Sequence, residues 1–221
     1  MRLETVAQRL VATLLDVLAP PRCAACEALA PAASGYCGEC GDPEPLFDVA
    51  CHIAQVPVFA GARYADPIAS AIQRFKYQGA PELSRVLASL SVRGIDLLGI
   101  EAGDVWVPVP LHPLRLAERG YNQSALLARE LSRVALGSVD VGRLHRLRYT
   151  EQQAKRDKRG RSQNVAHAFA ARERRARRRV VLVDDVVTTG ATLGACIAAL
   201  RAAGDHVVGC MAVAYAGAPR S

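Results

Sequence analysis

Aromatic residues are scarce: 1 Trp, 6 Tyr and 4 Phe in 221 residues. Composition therefore argues against a surface built to stack unpaired bases. Long apolar runs are missing too. Leu10 to Leu15 is short and lies between Glu4 and Asp16, which fits neither a secretory leader nor a membrane span. A cytoplasmic protein is expected. There is no Gly-Lys-Ser/Thr phosphate loop and no G-x-G-x-x-G fingerprint, so two common nucleotide-binding designs are excluded. What remains is a chain that is 51% hydrophobic, enough for one full core and a small appendage. Thr5–Leu18 reads as an amphipathic helix with Val6, Leu10, Leu14 and Val17 on one face. Its polar face mixes both charge signs, so docking on its own core is expected rather than on a membrane.

The formal charge is +7, unevenly spread. Residues 143–179 hold 14 of the 28 Lys and Arg against Glu151, Asp157 and Glu173, so this segment is +11 and the rest is −4. Such asymmetry points to a polyanionic partner, either a phosphorylated sugar or a nucleic acid. Within it, Arg172–Arg179 holds six arginines. A solvated connection is the plain reading of that run, and contact with a nucleic-acid backbone the sharper one.

Four of the seven cysteines form Cys23-x2-Cys26 and Cys37-x2-Cys40. Two such knuckles can place four thiolates around a structural Zn²⁺, although the ten-residue gap is shorter than the usual spacing. Disulfides or four free thiols are the alternatives. The odd count and the lack of a leader argue against disulfides. Cys51 is a weaker candidate ligand. Cys196 and Cys210 fall in apolar helix and strand patterns and are expected in the core.

Organisation follows: an N-terminal helix over 1–18, a four-cysteine module over 19–50, and an α/β domain over 51–221. Strands are expected at Val56–Tyr64, Val105–Val109, Val180–Val183 and Val207–Ala214. Helices are expected at Pro67–Phe75, from Leu83 to Leu90, at Asn122–Ala135 (Leu127, Leu131 and Val134 inward) and at Thr192–Ala203. The alternation implies a parallel sheet with helices on both faces.

The densest signal is Val180-Val-Leu-Val-Asp184-Asp185-Val-Val-Thr188-Thr189-Gly190-Ala191-Thr192. A buried strand ends in two carboxylates, and a Thr/Gly loop then opens a helix. Ligands of open α/β sheets bind at the carboxyl ends of strands. The hydroxyls of Thr188, Thr189 and Thr192, the N–H groups around Gly190 and Ala191, and the positive helix end suit a phosphate dianion. Asp184 and Asp185 can accept hydrogen bonds from two adjacent ribose hydroxyls.

This segment resembles the signature of type I phosphoribosyltransferases, which bind 5-phosphoribosyl 1-diphosphate with Mg²⁺. Around it lie the cysteine module, Phe75-Lys76-Tyr77-Gln78-Gly79, Val107-Pro-Val-Pro-Leu111, Arg119-Gly-Tyr-Asn-Gln123, and Gln153 followed by Arg161-x2-Asn164-x4-Phe169. In that order they resemble the ComF family, linked to DNA uptake in natural transformation. The resemblance implies a diphosphate loop over Val107–Arg115 with Leu111, His112 and Arg115, joined by Arg119. The alternatives are an exposed loop histidine and a helix cap at Asn122. It also implies a closing lid over Arg148–Asn164, with Gln153, Lys155, Arg159, Arg161 and Asn164 as candidates; a solvated basic loop is the alternative. As an enzyme, the chain would use Asp184, Asp185 and Arg119 in transferring a phosphoribosyl group to an unknown acceptor, as salvage transferases do. As a binding protein, it would sense the ligand while contacting single-stranded DNA or a DNA-uptake helicase.

Overall fold

The computed structural model describes residues 20–31, 34–147, 168–172 and 177–217. The N-terminal helix and the lid candidates Gln153, Lys155, Arg159, Arg161 and Asn164 lie outside them.

A six-stranded sheet organises the chain. In sequence order its strands are β1 (Val49–Ile53), β2 (Val56–Arg63), β3 (Val105–Pro108), β4 (Ser138–Val139), β7 (Arg179–Val187) and β8 (His206–Tyr215). The spatial order is β1-β2-β8-β7-β3-β4. Neighbours from β2 to β4 run parallel, while β1 pairs antiparallel with β2, so the sheet is mixed at one edge. Two short strands, β5 (Leu144–Arg146) and β6 (Phe169–Ala171), form a separate antiparallel pair.

β7 is central because its sequence serves two faces. Val181 and Val183 join one core; Val180 and Leu182 join the other. A strand buried on both sides needs such an unbroken apolar run. The first face is covered by α1 (Ile68–Tyr77), α2 (Leu83–Ser89), α3 (Gly94–Leu97) and α5 (Gln123–Val134). α1 buries Ile68, Ala71, Ile72 and Phe75, the spacing of a single helical stripe. α6 (Ala191–Ala202) covers the other face with Leu193, Cys196, Ile197 and Leu200, all inward as the periodicity predicts. Cys196 and Cys210 are fully buried core residues. Val134 departs from expectation: it is 56% exposed. It ends α5, whose buried stripe runs through Ser124, Leu127, Ala128 and Leu131 instead.

The cysteine module rests on the first face. Cys23, Ala24, Tyr36 and Cys37 belong to the same buried cluster as α1 and α2. Arg74 of α1 donates to the Cys23 and Ala24 carbonyls at 3.0 and 2.8 Å and pairs with Glu27. β1 crosses residue 50, and Pro45 bridges to Ala62, so sheet pairing begins before that position.

The β5–β6 pair is clamped to the sheet by one buried ion pair. Arg143 and Asp205 meet at 2.6 Å with side chains 2% and 1% exposed. Arg143 also donates to the Arg172 and Ala203 carbonyls. A buried charge is tolerated only when paired and hydrogen-bonded in this way. Leu147 and Ala168, flanking residues 148–167, are joined by a 2.8 Å backbone hydrogen bond.

Candidate active site

β3 stops at Pro108 opposite Val183, and the Val109 N–H closes the pairing on the Val183 carbonyl at 2.8 Å. β7 continues to Val187, still paired with β8. The acidic pair therefore sits within the strand, beside an edge that β3 has vacated, and not at the strand's end as the sequence suggested. Into that gap comes the start of α5. Asn122 caps α5 by accepting from the Ser124 and Ala125 N–H groups, and donates to the Val109 carbonyl. Asn122 is thus a cap, the plainer of its two sequence readings.

The two carboxylates are not equivalent. Asp184 is half-buried and lines a small cleft shared with Thr188, Thr189, Gly190, Ala191 and Thr192. It accepts from Ser124 Oγ at 3.2 Å and from the Asp185 N–H at 2.9 Å. Asp185 is 4% exposed. One of its oxygens meets Lys76 Nζ at 2.8 Å; Oδ2 has no partner among the described residues. Burial and the Asp185 charge push the Asp184 carboxyl up to about 7, against Lys76, the Asp185 N–H and Ser124. Burial disfavours the Lys76 ammonium, but the Asp185 carboxylate outweighs it, so Lys76 is raised above its ordinary value.

Beyond Val187 the loop turns through Thr188 and Thr189, both exposed, into Gly190 and α6. Gly190 has φ +74°, and a Cβ there would lie 2.4 Å from Ile53 Cδ1. Only glycine satisfies both constraints. Its carbonyl accepts from Gly194 and starts the helix, while Thr189 Oγ1 lies 3.4 Å from the Ala191 N–H. Hydroxyls and a free helix start so arranged can bind an anion.

The predicted diphosphate residues occupy a short excursion between Val109 and Asn122. α4 (Pro113–Arg119) buries no residue. His112 caps it, accepting from the Leu114 N–H at 3.3 Å, and Arg115 lies 3.7 Å from Glu118. Leu111 is half-buried in the preceding loop. The Arg119 guanidinium stacks 5.1 Å from the Tyr77 ring, and Tyr77 neighbours Lys76 in sequence and interacts with its charge. Arg119 Nη1 and Gln123 Oε1 are buried without partners among the described residues. Lys76 and Ser124 are the site residues that sequence reasoning missed. The signals for Lys76 were its place in the Phe75–Gly79 motif and its position beside the inward-facing Phe75 of the α1 stripe.

At the other end of the sheet, two arginines of the run, Arg178 and Arg179, pair with neighbours. Arg179 pairs with Asp104 at 2.8 Å and Glu101 at 3.5 Å, and Arg178 lies 3.9 Å from Asp140. These contacts favour the structural reading of the described part of that run.

The four module sulfurs, of Cys23, Cys26, Cys37 and Cys40, all lie within 4.8 Å of one another. Cys26 and Cys37 Sγ are 3.6 Å apart. A tetrahedral Zn–S distance of about 2.3 Å implies S–S separations of about 3.8 Å, so the set can hold a metal such as zinc. Burial opposes ionisation of Cys23, yet backbone N–H donors of Cys37, Cys26 and Ala25 bring its thiol down to about 6. Hydrogen bonds to the other thiols push Cys40 up instead.

Residues 119–221 match the family described as phosphoribosyl transferase domain. The chain is 33% identical over 195 residues to Competence protein F of Haemophilus influenzae, covering 83% of this chain and 80% of that protein. It is 31% identical over 181 residues to DNA utilization protein YhgH of Escherichia coli K12, covering 77% and 80%. Competence protein ComFC of Bacillus subtilis is 31% identical over 130 residues, 59% of this chain and 52% of that protein. No helix among the described residues is long and apolar enough to cross a membrane.

Proposed function

The chain belongs to the ComF family on a type I phosphoribosyltransferase fold, and we propose that it binds 5-phosphoribosyl 1-diphosphate in the service of DNA uptake or utilisation. One observation carries the reading: Asp184 lines the same cleft as the Thr188–Thr192 loop at the start of α6. The loop takes the 5-phosphate. Asp184 accepts from a ribose hydroxyl. Arg119, stacked on Tyr77, faces the diphosphate. Mg²⁺ would accompany the ligand near Asp184 and would supply positive charge that offsets the leaving diphosphate. A half-exposed carboxylate beside an anion loop fits such an ion. The module holds structural Zn²⁺ on its four cysteines.

The reaction class is phosphoribosyl transfer. The C1–oxygen bond to diphosphate breaks, diphosphate leaves with the electron pair, and an acceptor lone pair forms the new bond at C1. Asp184 stabilises the positive charge that grows on the sugar ring. The names of the relatives, competence and DNA utilization, support a DNA-related setting.

Ligand-induced stabilisation tests the reading. At about 100 times Kd a ligand that binds only the folded state adds about 2.7 kcal/mol. For a chain of this length that raises Tm by roughly 5–10 °C. 5-Phosphoribosyl 1-diphosphate with Mg²⁺ is expected to do so, and ribose 5-phosphate to do so less. An unchanged Tm at millimolar ligand would remove the proposal.

A further inference from the structure

Lys76 is an unusual cation in this chain. Of the 28 Lys and Arg, 25 are arginine, and Lys155 and Lys158 are the other lysines. Lys76 lies in the last turn of α1, next to the fully buried Phe75, with its side chain 19% exposed. Its ammonium reaches Asp185, whose side chain is 5% exposed, at 2.8 Å. The neighbouring Asp184 is hydrogen-bonded to the Asp185 N–H and to Ser124, and lines the cleft.

We propose that Lys76 is a positioning residue of this site: paired with the buried Asp185, its ammonium sets the charge and orientation of Asp184, the carboxylate that faces the ligand. The proposal rests on the phosphoribosyl reading above. An unpaired Asp185 would leave two carboxylates competing in one partly dry pocket, and one of them would take up a proton. Lys76 offsets that repulsion from inside the protein, before any ligand or metal arrives. A lysine suits the place because it is a compact point charge, whereas a guanidinium is a broad planar fork. Lys76 touches neither the cleft nor the threonine loop among the contacts described, so it acts through the acidic pair.

The charged and titratable groups that act on Asp184 come from four elements. Asp185 of β7 raises its proton affinity and Lys76 of α1 lowers it. The Cys196 thiol of α6 and the Cys210 thiol of β8 also interact with it, and burial holds both thiols protonated. Lys76 and Asp185 thus act on Asp184 with opposite sign, and removal of each has an opposite effect. A Lys76 that only packed α1 in place, without acting on Asp184, would give no such pair of opposed shifts.

Two readouts separate this proposal from the reading beneath it. The first is the titration of the Asp184 carboxyl carbon by NMR in ligand-free protein. The second is the pH dependence of 5-phosphoribosyl 1-diphosphate affinity in Mg²⁺ buffer. In the unaltered protein both are expected to show a midpoint near pH 7. Lys76→Gln moves the midpoint up by a unit or more, and Asp185→Asn moves it down. Lys76→Arg keeps the positive charge and moves the midpoint less than Lys76→Gln does. The double variant Lys76→Gln/Asp185→Asn removes both charges, returns the midpoint toward the wild-type value, and covers the case in which a single variant fails to fold. Midpoints that stay fixed, or that move the same way in both single variants, overturn the role of Lys76. NMR midpoints that move as stated in a protein that binds no ligand support the ion pair's action on Asp184 and overturn the phosphoribosyl reading.

Discussion

Stripping the metal with a strong chelator at neutral pH is expected to lower Tm by roughly 10–20 °C, and one equivalent of Zn²⁺ to restore it. The size follows from where the sulfurs sit. Structural zinc sites in small modules contribute about 10–16 kcal/mol in isolation. Here the module shares its core with the rest of the protein. Cys23 and Cys37 are buried in the cluster that contains Phe75 and Leu87. Even about 5 kcal/mol transmitted to the whole fold gives this shift, at 2–4 °C per kcal/mol for a chain of this length. Arg74 would lose the carbonyls of Cys23 and Ala24 as the knuckle opened. Because Arg74 and Lys76 share α1, loosening this end of the helix also loosens the support of Asp185. Metal loss should therefore weaken ligand binding as well as folding. Differential scanning calorimetry with metal analysis checks both. Unaltered Tm in demonstrably metal-free protein would mean that four thiols suffice and that zinc contributes nothing.

Asp184→Asn is expected to melt higher than the unaltered protein at pH 8 while losing affinity for 5-phosphoribosyl 1-diphosphate by at least tenfold. The folded Asp184 is raised to about 7, whereas an unfolded aspartate titrates near 3.8. The native state thus holds this proton more tightly than the unfolded chain does. Stability from this group is greatest below pH 4, falls as pH rises from about 4 to about 7, and is flat above that. Three units correspond to about 4 kcal/mol, at about 1.4 kcal/mol per unit. Partial exposure to water screens the cost, leaving about 2 kcal/mol, or roughly 4–8 °C. Asparagine cannot ionise and escapes that cost. Its amide keeps an acceptor for Ser124 but brings no negative charge to the ribose side of the cleft. A gain in stability coupled to a loss of binding marks a residue kept for function. A variant that melts lower at pH 8, or that binds as well as the wild type, contradicts this account of Asp184.

Much of this architecture was legible because apolar periodicity reports packing directly. β7 and α6 carry unbroken or strictly periodic apolar residues, and the structure buries Val180 to Val183 of the one and Leu193, Cys196, Ile197 and Leu200 of the other. The strand's length was less legible. Asp184 and Asp185 look like a terminator in sequence, yet β7 runs on to Val187 because β8 continues beside it. Pairing partners distant in sequence decide strand ends. Val134 shows the same limit for helices: its spacing was right, but it ends α5 and is 56% exposed among the described residues. The threonine loop could be placed from local chemistry alone. Lys76 could not, because 109 residues separate it from Asp185. Its role appears only when α1 lies over β7. For the same reason the two carboxylates looked interchangeable in sequence and differ in structure.

The most direct test of the central claim is a crystal structure of the protein with 5-phosphoribosyl 1-diphosphate and Mg²⁺. The account predicts the 5-phosphate in the Thr188–Thr192 loop, a ribose hydroxyl on Asp184, and Lys76 still on Asp185. A ligand bound elsewhere with an empty threonine loop would contradict it.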